Sequence, residues 1–118
     1  IYLALSGIFV AFKTERHMKF HVFFGSVLLI PSIWIPISTV ERVALIIMIG
    51  MLIAFELINT AIETTIDLIT KQFRYRAKLA KDISSGAVLV IAILLVILGI
   101  FIYLPYVYNS RIGALFGY

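Results

Sequence analysis

Hydrophobic residues run through this chain in three long blocks separated by short polar stretches. The first covers roughly Phe20 to Ile37 and reads FHVFFGSVLLIPSIWIPI; the second covers Val43 to Ile69 and the third Ile83 to Val107. About 20 consecutive apolar residues are enough to cross a bilayer as a helix. The pattern therefore predicts three membrane helices, at 20–37, 43–69 and 83–107. The linker STVER between the first two is short, which makes them antiparallel neighbours. Pro31 and Pro36 fall near the end of the first block, where a membrane segment tolerates them. Trp34, between them, suits an interfacial anchor.

Residues 1–19 have another texture, with Lys13, Glu15, Arg16 and Lys19 set among apolar residues. This mixture predicts an amphipathic helix lying on the membrane surface. The expected fold class is all-α and integral to the membrane. It comprises three transmembrane helices plus an N-terminal amphipathic surface helix, in a single domain over 1–118.

Composition points the same way. Of 118 residues, 63% are hydrophobic and 14% charged, whereas an ordinary soluble domain has about 45–50% and about 25%. A chain this small cannot hide such an excess in one core. It has no cysteine, which rules out a disulfide framework and a thiolate metal site. The opening IYLALSGIFVAF lacks the basic region and cleavage site of a signal peptide.

Eight of the ten Lys and Arg residues precede the first block or lie between the second and third; only Arg42 and Arg111 lie elsewhere. Basic residues gather on the cytoplasmic side. The N-terminus and KQFRYRAKLAKD are thus expected inside, and STVER and the tail NSRIGALFGY outside. Charge placed at membrane boundaries argues against nucleic-acid binding.

The segment ELINTAIETTID, Glu56 to Asp67, holds three of the six acidic residues. On a helix, Glu56, Asn59, Glu63 and Asp67 fall within an arc of about 80°. Leu57, Ile58, Ile62 and Ile66 take the opposite face. A charge at mid-membrane costs roughly 2.5–3.5 kcal/mol, so such a stripe needs water, a cation or basic neighbours. A polar seam between helices, or a proton path, would use the same pattern. Three further features favour a magnesium-bound polyphosphate, whose metal takes oxygen ligands and whose charge Lys or Arg offsets: Glu15 near the first block, Lys81 beside Asp82, and the basic stretch between blocks. The chain has no glycine-rich phosphate loop, so carboxylate-bound metal and basic side chains would hold a nucleotide.

His17 and His21, four residues apart, read as interfacial polar residues rather than a metal pair. Tyr103, Tyr106 and Tyr108, with Phe101, read as an aromatic belt at the outer interface. Gly50, Gly86 and Gly99 are candidates for close helix approach.

The segment ELINTAIETTIDL together with KLAKDISSGAVL, and LSGIFVAFKTERHMKFH ahead of the first block, closely resembles the prokaryotic diacylglycerol kinase family of small membrane lipid kinases. The form TERHMKFH looks more like the Gram-positive branch, which prefers undecaprenol, than the enterobacterial branch, which phosphorylates diacylglycerol. The resemblance implies ATP- and Mg²⁺-dependent phosphorylation of a lipid hydroxyl. The expected product is undecaprenyl phosphate, with diacylglycerol to phosphatidic acid as the alternative. A subunit of a proton- or cation-coupled membrane transporter is the alternative of another class.

The resemblance also implies roles. Glu56 matches the general base and contacts the lipid, and Asn59 matches a residue that positions the reactants. Glu15 and Glu63 match the Mg²⁺ ligands. Asp67, Phe73, Arg74, Lys81 and Asp82 match the nucleotide site, with Lys81 on phosphate, and Ser85 matches a position near the lipid. The family's homotrimer, with sites between subunits at the cytoplasmic face of the bacterial inner membrane, is expected here too. Two departures stand out: QFRYR is more basic than the family's loop, and Ser84 and Ser85 stand where Gly or Ala is usual.

Overall fold

A computed structural model describes the backbone of residues 1–116 and the side chains of residues 1–109. The tail expected to face outward, including Arg111, falls outside the described side chains from Ser110 onward. Four helices follow in order: α1 (Tyr2–Thr14), α2 (Arg16–Leu29), α3 (Thr39–Ile69) and α4 (Tyr75–Phe116). A 3-10 turn, Ile30–Ile33, extends α2. Among the described residues there is no strand.

The N-terminal helix is shorter than expected. Glu15 adopts an extended conformation (φ −95°, ψ 115°) and separates α1 from α2. Its N–H still donates to the Ala11 carbonyl at 2.9 Å, closing α1. Arg16 and Lys19 therefore belong to α2. What remains in α1 is apolar on most sides: Tyr2, Leu3, Leu5, Phe9 and Val10 are exposed and Ala11 alone is buried.

The first block is not one straight helix. α2 has 14 residues and the 3-10 turn four, lengths of about 21 Å and about 8 Å. Together they approach the hydrocarbon thickness of about 30 Å. Pro31 sits in the first positions of the 3-10 turn, where its missing N–H does no harm.

A reciprocal cap starts α3. Ser38 Oγ accepts from the Glu41 N–H at 3.1 Å, and Glu41 Oε1 accepts from the Ser38 N–H at 2.9 Å. The bond from the Ser38 backbone, and then the Ser38 hydroxyl, hold the Glu41 carboxyl below the usual carboxylate range. At the other end, α4 begins at Tyr75 rather than Ile83. Much of the basic stretch expected as a loop is thus helix, and Lys78, Lys81 and Asp82 have fixed angular positions.

Among the described residues, two helices are long and apolar enough to cross a membrane, α3 and the part of α4 from Tyr75 to Asn109. Only 22% and 28% of their most apolar windows are buried within the chain. Most of that surface turns outward, which fits a membrane protein and not a pair of core helices in a soluble domain. α3 packs against α2 and α4. The core joins Leu45 and Leu52 of α3 to Val88, Ile91, Leu95 and Ile102 of α4, with Ile37 at one end.

Close helix approach occurs at one glycine expected for it and one that was not. A Cβ on Gly99 would lie 3.0 Å from Leu28 Cδ2, and one on Gly25 would lie 2.8 Å from Ile49 Cγ2. Gly50 and Gly86 face open space, with nothing within 4 Å. The aromatic belt also divides. Phe101 and Tyr108 are exposed. Tyr103 instead donates its hydroxyl to the Leu28 carbonyl, and Tyr106 donates to the Pro36 carbonyl at 3.0 Å. These bonds fasten α4 to the end of α2 and to the turn before α3.

Candidate active site

The acidic stripe continues the core-facing side of α3. Leu45, Leu52, Glu56 and Asn59 are the buried residues of that helix, at heptad-like spacing. Glu56 is 3% exposed and Asn59 7%. Glu63 is half-buried and Asp67 exposed, so burial falls steadily towards the end of α3. On the other side, Ile58 is exposed while Leu57, Ile62 and Ile66 are half-buried.

The stripe opens on a cleft of about 570 Å³. The α1–α2 junction contributes Glu15, and α2 contributes His21. α3 contributes Glu56, Asn59 and Glu63, and α4 contributes Asp82 and Ser85. Phe20, Leu89 and Ala92 form an apolar wall. Six residues expected from sequence thus meet in one place. Here the half-buried Glu15 is positioned by the helix break, because its extended backbone turns the chain into α2.

Inside the cleft, His21 Nε2 lies 3.4 Å from Glu56 Oε2, with side chains 11% and 5% exposed. Asn59 Nδ2 donates to Glu63 Oε1 at 3.5 Å. Asn59 Oδ1 and Thr60 Oγ1 are buried without a partner. Buried polar atoms are nearly always hydrogen-bonded, so Asn59 Oδ1, whose residue lines the cleft, leaves an acceptor open to a polar ligand.

A second cleft of about 430 Å³ lies between the end of α3 and the start of α4. It is lined by Asp67, Phe73, Arg74, Lys78, Lys81 and Asp82. Lys81 Nζ reaches Asp67 Oδ1 at 2.5 Å, tying α4 to α3. Asp82 Oδ2 is taken by Lys78 Nζ at 2.5 Å. The expected nucleotide residues Asp67, Phe73, Arg74 and Lys81 are therefore gathered here, and Asp82 lines both clefts.

The sequence reading missed His21 as a site residue. The visible signal was a histidine inside an apolar block, but its spacing pointed to His17, which is exposed, whereas His21 is buried.

Glu15 and Glu63 offer hard oxygen donors in one cleft. Among the described residues no three His, Asp or Glu side chains converge on a metal. Mg²⁺ is usually held by one or two carboxylates together with substrate phosphates, and the donor set fits that arrangement. Taken together, the clefts offer a buried carboxylate beside an apolar wall, hard oxygen ligands, and cations one helical turn away.

The family model described as prokaryotic diacylglycerol kinase matches residues 2–103. A Bacillus subtilis (strain 168) protein named undecaprenol kinase is 40% identical over 99 residues, 84% of this chain and 80% of the relative. A Synechocystis diacylglycerol kinase is 34% identical over 103 residues, 86% of this chain and 59% of the relative. An Escherichia coli diacylglycerol kinase is 34% identical over 64 residues, 54% of this chain and 52% of the relative.

Proposed function

This chain belongs to the prokaryotic diacylglycerol kinase family and is a lipid kinase, and we propose that it transfers the γ-phosphoryl group of ATP to undecaprenol. The observation that carries the reading is the first cleft. A buried Glu56 shares it with an apolar wall and with three further carboxylates, Glu15, Glu63 and Asp82. The substrate assignment is supported by the relative named undecaprenol kinase, which is 40% identical, against 34% for the diacylglycerol kinases of Synechocystis and Escherichia coli.

The lipid tail lies against Phe20, Leu89 and Ala92, and the hydroxyl reaches Glu56 near Ser85. Glu56 takes the hydroxyl proton as the lipid oxygen bonds to phosphorus and the bond to the ADP leaving oxygen breaks. Asn59, hydrogen-bonded to Glu63, positions the reacting groups. Arg74 and Lys81 hold phosphate charge in the second cleft, Phe73 flanks the nucleotide, and Asp67 and Asp82 orient the lysines. Glu15 and Glu63 would hold Mg²⁺, which when bound neutralises charge across the phosphates. In this reading the chain spans the bacterial plasma membrane three times, first with α2 and its 3-10 turn, and both clefts face the cytoplasm. The protein works there as a homotrimer.

The test is phosphoryl transfer from labelled ATP by purified protein in mixed micelles offering undecaprenol and diacylglycerol in competition. Preferential labelling of undecaprenol is expected. Labelling of neither lipid defeats the reading, and preference for diacylglycerol defeats the substrate assignment.

A further inference from the structure

We infer that His21 is a positioning residue for the base: its Nε2–H holds Oε2 of Glu56 and leaves Oε1 to take the proton of the lipid hydroxyl. The inference rests on the lipid-kinase reading of the first cleft. It starts from the 3.4 Å approach of two side chains from different helices, each about nine-tenths buried or more. Among the described residues, no other basic group stands within ion-pairing distance of Glu56.

Burial makes the contact more than incidental. A carboxylate out of reach of water needs a donor, because an unpaired buried charge is strongly unfavourable. Glu56 sits where the core face of α3 turns polar, and α3 itself supplies no charge-bearing donor to it. The donor comes from α2. The Phe20 ring meets the His21 ring edge-on, with centroids 5.9 Å apart and an interplanar angle of 69°. A carboxylate with one oxygen drawn to the imidazole has one direction left for the other. That restraint matters for a base, which must stand within hydrogen-bond reach of the proton it removes. His17, one turn earlier, lines the same cleft but is exposed and makes no ion-pair contact with Glu56.

Glutamine places an N–H close to where Nε2 stands, asparagine falls short of it, and leucine has none. The experiment measures kcat and apparent KM for ATP with saturating lipid, in H21Q, H21N, H21L and the double variant H21L/E56Q. Detergent-solubilised unfolding temperatures check the fold. H21L should lower kcat on the order of 10²-fold, the usual result of misplacing a reacting group, with KM for ATP unchanged. H21N should resemble H21L, and H21Q should recover most of the loss. In the E56Q background, H21L should cost less than about 2-fold, because a residue acting through Glu56 has nothing left to position.

A wild-type protein that labels no lipid ends the kinase reading and this inference with it. An active wild type overturns the inference alone in any of three ways: normal kcat in H21L, no recovery in H21Q, or an equal H21L loss with and without Glu56. If H21L fails to fold, the H21N and H21Q comparison decides. The split between kcat and KM and the glutamine recovery also decide if E56Q turnover is too low to measure.

Discussion

Lys81 and Asp82 are neighbours in the chain and serve different partners. Lys81 crosses to α3 and meets Asp67 at 2.5 Å, whereas Asp82 is held on its own helix by Lys78 at 2.5 Å. Successive helical residues point about 100° apart, so one looks into the second cleft and the other reaches both. They should therefore fail differently when altered.

Lys81→Met removes a phosphate partner while keeping the aliphatic stem. Apparent KM for ATP should rise about 10–100-fold, the range for losing a hydrogen bond to a charged group. The ion pair with Asp67 is 36% and 53% exposed, and such pairs contribute about 1 kcal/mol or less. The unfolding temperature should barely move. A large loss of stability with unchanged KM would make Lys81 a structural strut.

Glu56→Gln keeps shape and polarity but cannot take a proton. kcat should fall about 10²–10⁴-fold, with KM for ATP little changed, as for an interaction made in the transition state. Glu15→Gln and Glu63→Gln should differ by raising the Mg²⁺ concentration needed for half-maximal rate. Steady-state rates over a magnesium series separate the two classes. Near-normal turnover in E56Q would remove the base.

Glu15 and Glu56 line one cleft of one chain. If each site is that cleft alone and is not shared between subunits, co-assembled E15Q and E56Q protomers should recover no activity at any mixing ratio, because no cleft regains both carboxylates. Recovery in confirmed mixed oligomers would mean that a neighbouring chain supplies Glu15.

Gly25→Ala and Gly50→Ala make a matched pair. The added carbon at Gly25 meets Ile49 at 2.8 Å, while Gly50 has nothing within 4 Å. Overpacking costs about 1–3 kcal/mol, so G25A should unfold earlier in a detergent denaturation series than G50A. Equal stability of the two would show that α2 and α3 are farther apart.

The cap at α3 carries a pH dependence. The Glu41 carboxyl is lowered on folding, chiefly by its bond to the Ser38 backbone. Its contribution is present above the unfolded carboxylate value and lost as pH falls through the lowered folded value. Wild type should lose stability in that acid window relative to Glu41→Gln, whose side chain does not titrate. Parallel curves for the two proteins would show no shift.

Much of this was legible because membrane helices announce themselves as long apolar runs, and because a 3.6-residue period puts Glu56, Asn59 and Glu63 on one side. The break at Glu15 was not legible. No Gly or Pro marks it, and both flanks favour helix. The start of α4 was misplaced because Lys and Arg read as a charged loop, although both are good helix formers. The partnership of His21 with Glu56 was hidden for a third reason. It arises from the packing of α2 on α3, 35 positions apart in sequence, and local spacing says nothing about that.

The two ends of the bundle are fastened by different chemistry. Tyr103 and Tyr106 close one end with neutral hydrogen bonds to backbone carbonyls, beside two charged contacts, Tyr106 to the Glu41 carboxylate at 3.5 Å and Arg42 to the Ser32 carbonyl at 2.9 Å. Lys81 and Asp67 close the other with an exposed ion pair. Dissolved salt weakens exposed ion pairs by screening and leaves neutral bonds nearly untouched. Ionic strength is therefore a selective solvent for this molecule: it loosens the junction beside the clefts while the tyrosine end stays shut.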